Sequence, residues 1–421
     1  MFRSVSPTCA RLGLALGLLC AGCAELDKGL GSAERAIAVA KSPTGQSIGK
    51  IATAEDRSEA ARAIARSAGQ EYERNPQQLI DDLRQAQRDY QRLVDLLNGN
   101  VNRTWGKKET KLPSRTTYVK YTQNYMSRAL VDFDAARITV ETLDAKDPKA
   151  SLRNAIVTTL LTPDDPRAVD LYSDSAVKLS SERPPYLKGL VLDHRGREVA
   201  APAQAEAFAD HLLERAKSRT VATDKGGRPG LFVEVAMVAN LANKQAEKYR
   251  PTVAKVAAQY KVSQSLVFAI IRTESNFNPF AVSSAPAYGL MQLVPTSGGR
   301  EAHRRARGSD RIPTKEELFD ADRNIEFGTA YLNVLLFRQL EMVDNPVSRE
   351  YCVISAYNTG PGNVLRTFNK GNQTAAVNDI NRLEPSAVYE RLRTGLPYAE
   401  TRDYLQKVVG FRRQFVTAGQ I

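Results

Sequence analysis

The apolar periodicity of this chain changes once, and that change fixes what its two halves can fold into. From about Thr116 the period is two. Tyr118-Val119-Lys120-Tyr121, Ala129 to Phe133 and Ile138 to Thr142 read as strands, the last two joined across Asp134-Ala135-Ala136. After Pro251 apolar residues recur at helical spacing instead. A period of two buries one face of a sheet and a period of about 3.6 buries one stripe of a helix, so neither stretch fits the other's structure. The chain has 421 residues, too many for one core of about 250 at most. The reading is an α+β domain over residues 76–240, built on an antiparallel sheet, followed by an all-α domain over residues 251–421.

The punctuation supports that division. Asn75 caps a helix with Pro76 at its first position, and Leu79, Leu83, Tyr90, Leu93, Val94 and Leu97 keep helical spacing until Asn98-Gly99 stops it. Leu190-Val191-Leu192 and Glu198-Val199 flank Asp193-His194-Arg195-Gly196, a hairpin signal. A helix over Gln204 to Lys217 and a last strand from Leu231 to Val238 complete the first domain. Its His194 and His211 fit a turn and a helix face better than a ligand pair. In the second domain, Ser263 caps a helix running to Glu274, and Thr314 with Glu317 forms a capping box. Asn324 to Leu340, Ser348 to Tyr357 and Tyr398 to Val409 supply further amphipathic helices.

The first residues bear on compartment. Arg3 and Arg11 flank the apolar stretch Leu12 to Leu19, too short to span a membrane, which ends in Cys20-Ala21-Gly22-Cys23. A charged start, a short apolar run and small residues before a cut site describe a secretory signal over residues 1–22. Ala21-Gly22-Cys23 resembles a bacterial lipobox, in which Cys23 is acylated; Cys20 stands where such boxes usually have Leu. Ala24 in place of Asp implies sorting to the outer membrane, facing the periplasm. Residues 23–75, rich in Ala, Ser, Gly and charge, read as a tether. Loss of Arg3 and Arg11 takes the formal charge from +12 to +10, which suits an anionic polymer or lipid surface. Export removes nucleic acid as a partner. With three His and four Cys, no metal module has ligand spacing, and no cofactor is called for. Cys352, the thiol left in the mature chain, reads as a small buried hydrophobe.

One carboxylate stands on an apolar stripe. Counted from Val267, Ile270, Ile271 and Glu274 follow at helical spacing on one face. A carboxylate in apolar surroundings is disfavoured as an anion, so its pKa rises, and a carboxylic acid still protonated near pH 7 can protonate a glycosidic oxygen. On periodicity alone, a Glu at a helix end turning outward to meet Arg272 is the better fit.

The residues around it carry a resemblance. Glu274-Ser275-Asn276-Phe277-Asn278-Pro279 is followed by Gly289-Leu290-Met291-Gln292, then by Asn324 through Gly328 to Tyr331-Leu332. Ala356-Tyr357-Asn358-Thr359-Gly360 and Glu400-Thr401-Arg402-Asp403-Tyr404 complete the series. In that order and spacing they resemble the soluble-lytic-transglycosylase family, relatives of goose-type lysozymes. Tyr118 to Leu143 resembles the N-terminal domain of a membrane-bound branch of such enzymes. The resemblance implies a lysozyme-like catalytic domain, peptidoglycan as substrate and Glu274 as catalytic acid with Ser275 as an orienting hydroxyl. It implies Met291 and Gln292 on the floor of the sugar cleft and Tyr331 on its wall. Tyr357 and Asn358 would sit near the N-acetyl group, and Glu400 and Arg402 near the stem peptide. Two departures stand out, Ala285-Pro286-Ala287-Tyr288 before the Gly-Leu-Met-Gln motif and a basic loop from His303 to Gly308.

The family motifs supply one carboxylate, whereas most glycosidases use two. The resemblance implies that the substrate's own 2-acetamido group and C6 hydroxyl stand in, closing a 1,6-anhydro ring. A lysozyme-like hydrolase using Asp320, Glu326 or Glu400 to activate water stays open, as does a wall-binding lipoprotein that only grips glycan. Since all five motifs follow Pro251, residues 251–421 are expected to carry the chemistry alone.

Overall fold

The computed structural model describes residues 76–179, 183–224, 226–283 and 287–416. The signal, Cys23, the tether, the Asn75 cap and Ala285-Pro286 lie outside the described residues. Two units result, one of residues 89–308 with 312–416, and the described part of the other of residues 76–88 with 309–311. The first contains two apolar cores, one drawn from Leu97 to Leu241 and one from Ala246 to Val408.

Helix α1 runs from Pro76 to Trp105, past the stop expected at Asn98-Gly99. The reason is the stripe beyond it: Leu97, Val101 and Trp105, four residues apart, are each fully buried. Burying a large apolar side chain contributes about 1.5–3 kcal/mol, more than the roughly 1 kcal/mol a mid-helix Gly costs. Strands β1 (Thr117–Thr122), β2 (Ser127–Asp132) and β3 (Arg137–Thr142) form a meander. Asp132 closes its second turn by accepting the N–H groups of Asp134 and Ala135. Helices α2 (Pro148–Leu160) and α3 (Pro202–Leu213) follow, then β4 (Lys217–Thr223) and β5 (Gly226–Ala236). The sheet is antiparallel in the order β1-β2-β3-β5-β4. Sequence reading missed α2, which Asp147 caps by accepting from Ala150 N–H. It also extended α3 to Lys217, the first residue of β4, and did not foresee that strand. Residues 190–199 add no strand: one bridge, Leu192 to Glu198, surrounds a turn held by the Asp193 carboxylate.

Helix α4 (Leu241–Tyr260) passes straight through Pro251, so the boundary expected there falls inside a helix. Tyr249, Val253, Val256 and Tyr260 are buried along it, which offsets the hydrogen bond that Pro removes. The helical domain continues with α5 (Gln264–Ser275), α6 (Arg300–Arg307), α7 (Lys315–Phe319) and α8 (Ala321–Val334). It ends with α9 (Pro346–Thr359), α10 (Pro361–Phe368), α11 (Gln373–Asn381), α12 (Pro385–Gly395) and α13 (Ala399–Arg412). The expected basic loop is therefore the helix α6, ended by Gly308 at φ 69°. Its charges are paired: Arg304 with Glu301, Arg307 with Glu326, and Arg305 with the Asn333 amide oxygen.

The cores meet at Phe280. It follows the Glu274 motif in sequence, is fully buried, and packs against Tyr118 and Tyr186 with ring centroids 4.7 and 4.9 Å away. Among the described residues, no helix is long and apolar enough to cross a membrane.

Candidate active site

Glu274 sits in the last turn of α5, whose face of Val267, Ile270 and Ile271 is completely buried. The helix starts where the Ser263 hydroxyl accepts from Leu266 N–H and stops where Asn276 turns left-handed at φ 45°. Glu274 is itself 5% exposed. Its carboxyl does not turn outward to Arg272. Tyr404, from α13, donates its O–H to Glu274 Oε1 at 2.8 Å, and Arg115 Nη1 lies 3.8 Å from Oε2. Burial raises the Glu274 pKa from 4.5 to about 7; the Tyr404 hydrogen bond and the Arg115 charge pull it down, and the Glu400 charge pushes it up. The negative end of the helix dipole acts in the same direction as burial.

The carboxyl opens into a cleft of about 1320 Å³, lined by Gln292, Tyr331, Tyr357, Asn358 and Glu400 together with Glu274. The loop beneath it is built around one amide. Asn324, fully buried, donates to the carbonyls of Tyr288 and Leu318 and accepts from Met291 N–H at 2.7 Å. Gly289, at φ 75°, lets that amide approach: a Cβ there would stand 2.5 Å from Asn324 Nδ2. A Cβ on Gly328 would likewise meet Met291 Sδ at 2.3 Å. The spacing of the Gly-Leu-Met-Gln and Asn324-to-Gly328 motifs is thus one packing arrangement seen twice.

The expected site residues divide. Gln292, which lines the cleft, donates to the carbonyls of Ala281 and Gly289, while its buried Oε1 has no hydrogen-bond partner. Tyr357 donates to Met291 O at 2.9 Å and packs its ring 5.4 Å from that of Tyr331. The Asn358 amide oxygen accepts from the Thr401 hydroxyl at 2.6 Å. Met291 lies under the floor rather than on it, fully buried against Gly328. Ser275 does not orient the carboxyl, because its one hydroxyl proton goes to the Leu290 carbonyl at 2.8 Å, with the Ile271 carbonyl at 3.1 Å, and ties α5 to the loop. Arg402 turns away from the cleft to the Leu396 carbonyl.

Sequence reading missed the wall opposite. Pro113, Ser114, Arg115, Thr116 and Asp134, all from the sheet domain, line the same cleft. Asn276 donates to Phe133 O and Asp134 Oδ1, and Asn278 donates to Arg115 O. The cleft is therefore not made by residues 251–421 alone. The two Asn side chains of the Glu274 motif were the available signal, since polar groups beside a buried acid need partners. As for other carboxylates, Asp320 caps α8 and pairs with Arg167, and Glu326 is held by both Arg307 nitrogens; neither lines the cleft.

Both parts of the chain match known protein families. Residues 251–380 match the transglycosylase SLT domain, and residues 72–248 match the N-terminal domain of membrane-bound lytic murein transglycosylase C. A protein named membrane-bound lytic murein transglycosylase C from Salmonella arizonae is 43% identical over 326 residues, 76% of this chain and 89% of that one. Its namesake from Klebsiella pneumoniae is 44% identical over 320 residues, 75% of this chain and 87% of that one. Among solved structures, an inactive mutant of the lytic transglycosylase Slt from Pseudomonas aeruginosa aligns over 39% of this chain and 23% of its own, at 29% identity and TM-score 0.31. The 70 kDa soluble lytic transglycosylase of Escherichia coli gives the same coverage and TM-score at 27% identity. The chain is thus a lytic transglycosylase acting on peptidoglycan, with a catalytic domain of the SLT type. Within that class it belongs to the membrane-bound lytic murein transglycosylase C family.

Proposed function

We propose that Glu274 serves as acid and then as base in cleaving the β-1,4 bond between N-acetylmuramic acid and N-acetylglucosamine, leaving a 1,6-anhydromuramic acid end. The observation that carries this is one buried carboxyl among the described residues that line the cleft, whose pKa burial raises to about 7. Below that value it holds the proton that the leaving oxygen requires. As the bond from C1 to that oxygen breaks, the proton passes from Glu274 to the oxygen and the substrate's 2-acetamido group shields C1. The C6 hydroxyl oxygen then bonds to C1 and returns its proton to Glu274. No water enters the balance, and the catalyst ends as it began.

The walls fit a sugar. Gln292 Oε1, buried and unpartnered, is an acceptor for a hydroxyl or amide N–H. Asn358 and Tyr331 supply a polar edge and a ring beside it. Glu400, on the cleft's exposed side, suits the amine or amide groups of a stem peptide. We further assign Cys23 as the acylated residue that holds the chain on outer-membrane lipid facing the periplasm, which the membrane-bound name of the relatives supports. Glu274→Gln should still sediment with isolated sacculi while releasing no soluble muropeptides. Release above a tenth of the wild-type rate would move the acid to another residue.

A further inference from the structure

The loop leading into β1 brings a cation from the other domain to the Glu274 carboxyl. Arg115 Nη1 stands 3.8 Å from Glu274 Oε2 and 3.2 Å from Glu400 Oε1, so one nitrogen faces two carboxyl groups. Its place is fixed by backbone bonds on three sides. The Arg115 carbonyl accepts from Asn278 Nδ2 at 3.1 Å, and Asn278 is fully buried. Before it, Ser114 N–H donates to Thr117 O, and Thr117 N–H donates to the Ser114 hydroxyl. After it, the Thr116 carbonyl accepts from Phe133 N–H at 3.0 Å. The motif that carries Glu274 also holds the backbone of the arginine facing it.

We propose that Arg115 is a positioning residue for proton transfer: it stabilises the Glu274 carboxylate that forms once the leaving oxygen is protonated, and Glu400 holds its guanidinium in place while Glu274 is still neutral. This rests on Glu274 being the acid. At rest, the Arg115 charge is balanced by Glu400 and Glu274 keeps its proton. When that proton leaves, a negative charge appears in a buried site, and a cation already in place offsets it without reorganisation. When the C6 hydroxyl closes the ring, its proton neutralises Glu274 and the resting arrangement returns. Arg115 exchanges no proton, because a guanidinium stays charged throughout.

The other groups facing Glu274 do not duplicate this role. Tyr404 and Tyr357, from α13 and α9, are neutral phenols whose pKa values burial raises well above 10. On α5 itself, Arg272 stacks over the Phe411 ring at 4.6 Å. Lys407 and Asp134 line the cleft, and Asp134 accepts from the Asn276 amide. Arg115 and Glu400 form the pair of opposite sign, and their charges act on Glu274 in opposite directions.

The test is the pH dependence of kcat/KM on isolated glycan strands for the wild type, Arg115→Met, Arg115→Lys and Glu400→Gln, each checked for folding by circular dichroism. Removing the cation disfavours the carboxylate, so in Arg115→Met the alkaline limb should move up by about one pH unit, with kcat falling more than KM changes. Removing the competing carboxylate should move the limb down in Glu400→Gln. Arg115→Lys should lie near the wild type. Limbs that stay put, or that move the same way in both variants, overturn the proposal. So does an Arg115→Lys profile no better than that of Arg115→Met, which would make the residue a structural wall. Glu274→Gln separates the two readings: turnover there refutes the acid assignment itself. An inert Glu274→Gln with coincident limbs in the other variants refutes the role of Arg115 alone.

Discussion

Glu274→Gln should make the protein more stable above pH 7 while destroying its activity. Burial raises the Glu274 pKa from an ordinary 4.5 to about 7, so the folded chain binds a proton that the unfolded chain releases. The sign follows from linkage: a carboxyl raised in the fold contributes its full stability below pH 4.5 and loses it as pH rises through about 7. Each pH unit between those values corresponds to about 1.4 kcal/mol, so ionising Glu274 inside the fold costs about 3 kcal/mol. Gln keeps the shape and still accepts the Tyr404 hydrogen bond but carries no charge. The stability difference between variant and wild type should therefore grow by about 3 kcal/mol between pH 4.5 and pH 8. Urea unfolding of both proteins across that range measures it. A difference independent of pH would show that the carboxyl is already ionised at pH 5, and the argument for a protonated acid would fail.

Other outcomes follow from the same contacts. Tyr404→Phe removes a hydrogen bond that favours the Glu274 carboxylate, so the alkaline limb of its pH–rate profile should rise. Asn324→Ala strands three partners of a fully buried amide and should cost about 2–4 kcal/mol, read as a lower unfolding midpoint with weakened turnover. A chain beginning at Glu247 cuts α4 and exposes Phe280. It should aggregate or lose activity on sacculi, against the sequence-based expectation that residues 251–421 suffice, and full activity would restore that expectation. Cys23→Ser should leave the outer-membrane fraction, checked by fractionation, since a single acyl chain already binds only marginally.

What the sequence disclosed depended on distance along the chain. The apolar stripe on α5 placed Glu274 because helical spacing is local, and the capping box at Thr314 and Glu317 was legible for the same reason. Gly99 and Pro251 misled, because both are local breakers overruled by buried side chains on either side of them. Met291 and Ser275 were correctly placed near the acid, yet their side chains face the core, a difference of orientation that spacing does not encode. Arg115 was invisible because 159 positions separate it from Glu274, and only the pairing of the Asn276 and Asn278 amides with the sheet domain brings it there.

The central claim is that the proton of one carboxyl opens the glycosidic bond and the substrate's own C6 hydroxyl then closes a 1,6-anhydro ring. Mass spectrometry of muropeptides released from sacculi tests this directly. Products ending in 1,6-anhydromuramic acid, one water lighter than reducing ends and absent with Glu274→Gln, are the result predicted. Reducing muramic acid as the main product would contradict it and would assign Glu400, on the cleft wall, to the activation of water.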